Sequence, residues 1–275
     1  MSRTIGTGAD VWRAARLGYT DGSSPGADVM RTVLTAVAIL TALAGHARAG
    51  GMLVEHAAAP ETATRETANW TGCYAGGHLG GAWGTSSKWI PRTPGGAFQG
   101  VSLGGHDVDG VIGGVQAGCD VQLANRVVLG IGGDYGWTDA NGSHPSARET
   151  GVTYRSEMDG LGTLTGRIGY AFDTLLVYVE GGAAWERVSY AAATTQIGTA
   201  YRASDTREGW TIGGGGEYAL TQHLSAFVEY AHYDFGTDRI TLDPQYNFLP
   251  TAYVDIEDTA NVVRAGINLR FGGGW

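Results

Sequence analysis

From Trp70 to the C-terminus the chain alternates. In "NVVRAGINLRFGGGW" (261–275), Val263, Ala265, Ile267, Leu269 and Phe271 take every second position, with Arg264, Gly266, Asn268 and Arg270 between them. That is the two-residue period of a strand. Seven further stretches read the same way: 73–83, 110–123, 127–137, 161–172, 175–188, 209–220 and 224–236. Each is long enough for a tilted strand to cross a bilayer, which takes about 9–11 residues. The pattern therefore predicts eight strands.

The links between these stretches alternate in length. Three are tight: "ANR" (124–126), "DT" (173–174) and "TQH" (221–223). Four are long and rich in Gly, Ser, Thr, Asp and Pro: 84–109, 138–160, 189–208 and 237–261. They are expected to be loops. Regular short–long alternation with an even strand number is the layout of an outer-membrane barrel, with tight turns inside and long connections outside.

The two faces of each stretch differ. Val115, Ala117, Cys119, Val121 and Leu123 oppose Gln116, Gly118, Asp120 and Gln122. Leu164, Ile168, Tyr170 and Phe172 oppose Thr163, Thr165 and Arg167. Aromatics gather near the ends of the apolar rows, with Trp83, Trp137, Trp185 and Trp210 at one end and Tyr170 and Phe172 at the other, as in two interfacial girdles. No helical period follows residue 70, so nothing else covers the apolar row, and it is expected to face lipid. In the closing strand this assigns Val263, Ala265, Ile267, Leu269 and Phe271 to lipid, and Arg264 and Arg270 to the lumen.

Composition agrees. The 275 residues include 46 Gly, and only 16% are charged, against about 25% in ordinary soluble domains. A net charge of −9 excludes nucleic acid as a partner, because that requires a basic face. Residues 30–50, "MRTVLTAVAILTALAGHARAG", join a positive start, an apolar run and Ala47-Arg48-Ala49, the three parts of a secretory signal peptide. Met30 is its natural start. The expected organisation is an upstream extension and signal peptide over 1–49, cut after Ala49, a flexible leader over 50–69, and a barrel over 70–275. The fold class is all-β: a transmembrane, eight-stranded, antiparallel up-and-down β-barrel.

The motifs "NWTGCYAGGHLGGAWG" (69–84), "GGVQAGCDVQ" (113–122), "VLGIGGDYGW" (128–137), "GTLTGRIGYAFDTLLVYVEGGAAW" (162–185), "GWTIGGGGEYALTQHLSAFVEYAHYDFG" (209–236) and "VRAGINLRF" (263–271) resemble those of the small eight-stranded outer-membrane proteins of alphaproteobacteria. These are the porin-family or outer-membrane surface-antigen proteins of the Gram-negative envelope. The resemblance implies residence in the cell outer membrane and contact with outer-membrane lipid and lipopolysaccharide. It also implies insertion by the barrel assembly machinery through the closing strand. The family ends at the final Phe, whereas Gly272–Trp275 follow here, and Trp275 is expected at the periplasmic interface.

An eight-stranded barrel has room inside only for its own side chains. Lumen charges are therefore expected to pair, as an ion network of Arg167, Arg264 and Arg270 with Asp134, Glu180, Glu217 and Glu229. The functional expectation is structural, in envelope integrity and surface presentation without catalysis or cofactor. The alternatives are a small porin for polar solutes and adhesion or receptor binding by the long links. Glu180, Glu217 and Glu229 could do acid–base chemistry on paper, but no nucleophile is spaced to use them. His78 falls on the lumen row; His106, His144, His223 and His232 are too scattered to suggest a metal. "GGHDVDG" (104–110) is expected as a solvated loop piece. Cys73 and Cys119 lie on apolar rows of neighbouring strands. They are either small lipid-facing residues or a cross-strand disulfide, the latter requiring Cα atoms within about 7 Å.

Overall fold

The computed structural model describes residues 68–89, 102–147, 150–247 and 252–272. The expected signal segment, nearly all of the leader, and Trp275 lie outside the described residues. The strands are β1 (Gly72–Trp89), β2 (Ser102–Gln122), β3 (Val127–Thr138), β4 (Asn141–Pro145), β5 (Val152–Phe172), β6 (Leu175–Thr194), β7 (Gly198–Ala219), β8 (Leu224–Pro244) and β9 (Ala252–Phe271). Every pairing is antiparallel between chain neighbours, and β9 returns to β1, with Cys73 opposite Phe271 and Trp89 opposite Asp255. The β1–β2 ladder completes the ring. β4 is a ninth strand by segmentation only: it continues β3 past a break at Asp139–Ala140 and pairs with the same two neighbours, β2 and β5. The ring is thus an eight-stranded up-and-down barrel.

The tight turns fall where the composition places them, between β2 and β3, β5 and β6, and β7 and β8. In the two-residue turn after β5, Asp173 takes a left-handed backbone with φ 53°, which Asp tolerates better than most residues.

The four long links are different from expectation. Most of 84–109, 138–160, 189–208 and 237–261 is strand, so the barrel continues well beyond the bilayer-length segments. "GGHDVDG" belongs to β2, with Asp107 outside and His106 and Val108 buried. The reason is visible along β9. Near its C-terminal end Ile267, Leu269 and Phe271 point outward at 54%, 53% and 56% exposure, while Arg264, Asn268 and Arg270 are buried inside. Near its N-terminal end the same outward row carries Tyr253, Asp255, Glu257 and Thr259, and the inward row carries Val254, Ile256, Ala260 and Val262. The alternation of β9 and its register with β1 run unbroken; the chemistry of its two faces inverts. Below the Trp83–Trp137–Trp185–Trp210 level the outside suits lipid and the inside is polar. Above it the outside suits water and the inside is mostly apolar, with a second buried polar group between its layers.

The interior is layered. At the turn end, Trp70, Val128, Leu176 and Tyr178 pack together. Above the polar zone come Ile112, Met158, Leu161, Tyr233, Phe235 and Val262. The upper barrel is filled by Leu103, Tyr154, Val188, Tyr190, Ile240, Leu242, Val254 and Ile256.

The candidate site, an ion network in a plugged lumen

Lumen-facing positions come from every second residue of each strand, so cations and anions from distant parts of the sequence meet at one height. Two clusters result. In the lower one, Arg167 of β5 donates through Nε to Asp120 of β2 at 2.8 Å and through Nη1 to Glu217 of β7 at 3.4 Å. Arg270 of β9 donates to the same two carboxylates, at 2.9 Å and 3.0 Å. Ser225 and Asn268 also donate to Glu217. In the upper cluster Arg264 of β9 reaches Asp134 of β3 at 2.7 Å and Glu229 of β8 at 2.6 Å, with Glu180 of β6 at 3.9 Å. Tyr178 donates to Glu229 at 2.7 Å, and Thr163 donates to Asp134.

All seven residues expected in the network therefore face the lumen, and each touches an oppositely charged partner. Asp120 was not among them, yet it is completely buried and bridges two arginines. Its place on the inward row of β2, beside Gln116, Gly118 and Gln122, was the available signal. With it, three guanidinium groups meet five carboxylates, and the hydroxyls and amides around them supply further donors. Glycine makes the space: a Cβ on Gly130 would lie 2.2 Å from Asp120 Oδ1 and 3.0 Å from Arg167 Cγ.

Below the clusters the lumen is stoppered. Trp70 is 1% exposed, its carbonyl accepts from Arg270 at 2.7 Å, and the Arg270 guanidinium lies 4.8 Å from its ring centre. Arg167 lies over Tyr74 and Tyr178 in the same way, at 4.6 Å and 5.1 Å. Cation–π contacts of this sort stabilise more when desolvated. His78 also faces the lumen, at 4% exposure.

Above the girdle lies a further polar group that the loop expectation concealed. Arg207 of β7 bonds Asp258 at 2.6 Å and Glu186 at 3.5 Å. Tyr190 donates to Asp258. Lys88 Nζ donates to Ser86 and Ser156 at 3.1 Å and 3.0 Å, and burial pushes its ammonium down to about 8. His106 and His144, far apart in sequence, face one another with Nδ1 atoms 2.8 Å apart. Burial, then the nearby Lys88, pushes His106 down to about 3 and lowers His144 as well. Among the described residues no three of His, Cys, Asp and Glu come together as metal ligands.

Cys73 and Cys119 sit directly opposite in the β1–β2 ladder. Their Cα atoms are 3.9 Å apart and their sulfurs are joined, closing 46 residues of sequence. Both point outward, into the lower part of the lipid band. Replacing both (Cys73→Ser with Cys119→Ser) is expected to leave the barrel intact and lower its unfolding free energy by about 2 kcal/mol, since a cross-link mainly restricts the unfolded chain. Urea titration of the vesicle-inserted protein measures the shift.

A closed antiparallel barrel with an apolar outer band, interfacial aromatics and a polar interior defines the class of outer-membrane β-barrel proteins. A family model describing the outer membrane protein beta-barrel domain matches residues 36–271. The chain belongs to that family and is an outer-membrane protein. It is 33% identical over 249 residues to the 31 kDa outer-membrane immunogenic protein of Brucella melitensis, covering 88% of this chain and 100% of the relative. It is 26% identical over 203 residues to the 25 kDa outer-membrane immunogenic protein of Brucella abortus, covering 74% and 80%. Among solved structures, the outer membrane protease OmpT from Escherichia coli aligns over 73% of this chain and 97% of its own, at 12% identity and a TM-score of 0.45. A match at that level says nothing about activity.

Proposed function

We propose that the protein is a sealed structural element of the outer membrane that strengthens the envelope and presents a rigid wall to the exterior. The carrying observation is the stacked lumen: Trp70 and its neighbours at the base, paired charges above them, then two apolar layers. A polar solute would have to cross apolar side chains packed from all sides of the ring. Catalysis fits poorly. The group nearest to a nucleophile with its base is Ser86, Ser156 and Lys88, and all three are only 1–2% exposed. The Brucella relatives are named as immunogenic outer-membrane proteins, and by analogy the upper wall of this chain is what the outside meets. Lipopolysaccharide against the outward band, and the assembly machinery acting on β9, are the partners this reading requires.

Planar-bilayer recording of the purified protein tests it. The expected result is no steady conductance above the bare membrane. A reproducible open channel would overturn the sealed-lumen reading in favour of a small porin.

A further inference from the structure

Above the lipid band, upper β2 and β4 stand side by side almost without a ladder. They pair at Asp109–Asn141, and the Ala147 N–H donates to the Leu103 carbonyl at 3.0 Å. Between those points Gly104–Val108 and Gly142–Pro145 make no ladder with one another. Each strand is paired on its other side, β2 with β1 and β4 with β5. Pro145 at the end of β4 has no N–H to offer, and proline is confined to strand edges, first positions and bulges. The strands are close all the same: a Cβ on Gly142 would lie 2.3 Å from the Asp107 carbonyl oxygen.

A pair of imidazoles spans this gap. His106 of β2 and His144 of β4 are 9% and 8% exposed, and their Nδ1 atoms are 2.8 Å apart. Glycine makes the room: a Cβ on Gly142 would lie 2.4 Å from His106 Cδ2, and one on Gly104 would lie 2.8 Å from His144 Cδ2. Two Nδ1 atoms bond only if one donates and the other accepts. An imidazolium donates at both nitrogens, so two charged rings cannot make this contact. The surroundings also oppose charge. The ring of Tyr154 of β5 lies 5.6 Å from that of His144, centre to centre. Lys88 of β1 is the charge that acts on both rings, and it faces Asp258 of β9 and Tyr190 of β6. Among the described residues no carboxylate acts on either imidazole. Nor does the buried Nε2 atom of either ring have a hydrogen-bond partner among them, so a proton placed there would go unpaired at a cost.

We propose that the His106–His144 contact is an acid-released latch, which holds the upper wall closed between β2 and β4 and lets the two strands part when both rings are protonated. Once the seam opens, each ring is a free imidazole that takes up a proton below about pH 6.5. In the closed seam burial and Lys88 hold both rings below that range. Protons therefore bind the open form in preference, and they pull the equilibrium toward it. The latch has its full strength above about pH 6.5 and loses it as the pH falls toward the depressed value of His106, about 3. Little else resists: above the rings, among the described residues, the bond from Ala147 to Leu103 is what joins the two backbones. The inference goes beyond the sealed-wall reading. The Trp70 stopper and the paired charges lie lower in the barrel, so acid can open the upper wall while the base stays shut.

The test uses the full-length protein in phospholipid vesicles, with its native cysteines paired. Val108→Cys places a thiol at a buried position of β2, 7% exposed, and Ser143→Cys in a second sample places one on the exposed side of β4. The probe is dithiodipyridine, a thiol reagent that works in acid. Dividing the first rate by the second removes the reagent's own pH dependence. The expected ratio is level above about pH 6.5 and rises at least about tenfold per pH unit between about pH 5.5 and 4.5, the slope of one proton taken up on opening. His144→Gln keeps a side chain that can bond to His106 and removes one titrating ring, so it should take about tenfold per pH unit from that slope. His106→Gln with His144→Gln should leave no acid step. Migration on gels reports whether each variant is folded; if the double variant is not, the wild type and His144→Gln decide. A ratio that does not rise in acid would overturn the latch. So would a rise of the same slope in His144→Gln, because other groups would then drive the opening. A rise that comes with loss of folded migration would mean that the whole barrel opens and would overturn a local seam.

Discussion

Arg264→Met is expected to cost the barrel about 3–5 kcal/mol, the range for removing one partner of a buried ion pair. The residue is 4% exposed and, among the described residues, is the one guanidinium ion-paired with Asp134, Glu180 and Glu229. Without it, three carboxylates face one another in a low-dielectric space, and Asp134 and Glu229 keep only the hydroxyl donors Thr163 and Tyr178. The measurement is urea unfolding in vesicles, followed by the gel shift between folded and unfolded barrel. The loss should shrink at low pH, where protonation relieves the repulsion. An unchanged midpoint at neutral pH would mean that water, not Arg264, compensates these carboxylates. Glu180→Gln makes the useful contrast: Glu180 stands 3.9 Å from Arg264, beyond hydrogen-bond reach, so its removal should be much milder.

The second large effect lies on the outside. Val179 is 58% exposed on the wall of β6, about midway between Leu175 at the turn end and Trp185 at the girdle, beside Ile168 of β5 and Gly214 of β7. In a soluble protein, substitution at so open a site changes stability by at most about 0.5 kcal/mol. Here Val179→Arg is expected to destabilise by about 2–4 kcal/mol, because the guanidinium would have to leave water for the middle of the hydrocarbon. The same replacement above the girdle, Thr206→Arg, should be nearly neutral. Paired unfolding titrations of the two variants would locate the lipid boundary directly. A small loss at Val179 would place that position in water and refute the assignment of the outward face.

What the sequence disclosed and what it hid have one physical origin. Alternation with apolar residues outward was read correctly from 73 to 83, through the three tight turns, to Phe271. In that part of the barrel lipid and lumen differ sharply in polarity, so each strand carries a strong two-residue signal. The upper halves of the strands were taken for loops. There the apolar row is the inward one and holds small or interrupted residues, such as Ala192 and Ala260 beside Val188 and Ile256, while the outward row is Thr, Arg, Glu and Asp. A reader looking for a lipid-facing row sees only polar residues and glycine. Everything in that region went unseen for the same reason, including Arg207 with Asp258 and Glu186, and the meeting of His106 with His144. Asp120 is a different case. Its row was read correctly, but which carboxylates meet which arginines depends on the stagger of eight strands, and alternation within one strand carries no record of that.

The continuation of the strands above the girdle bears on recognition from outside. Arg155, Ala191, Arg202 and Asp243 are lateral neighbours on four successive strands, β5 to β8. They lie side by side on the wall although long stretches of chain separate them. A molecule that covers this area, an antibody included, reads an assembled surface and not a peptide. Its affinity becomes a measure of barrel closure: it vanishes when the ring opens, even with every covalent bond of the chain in place.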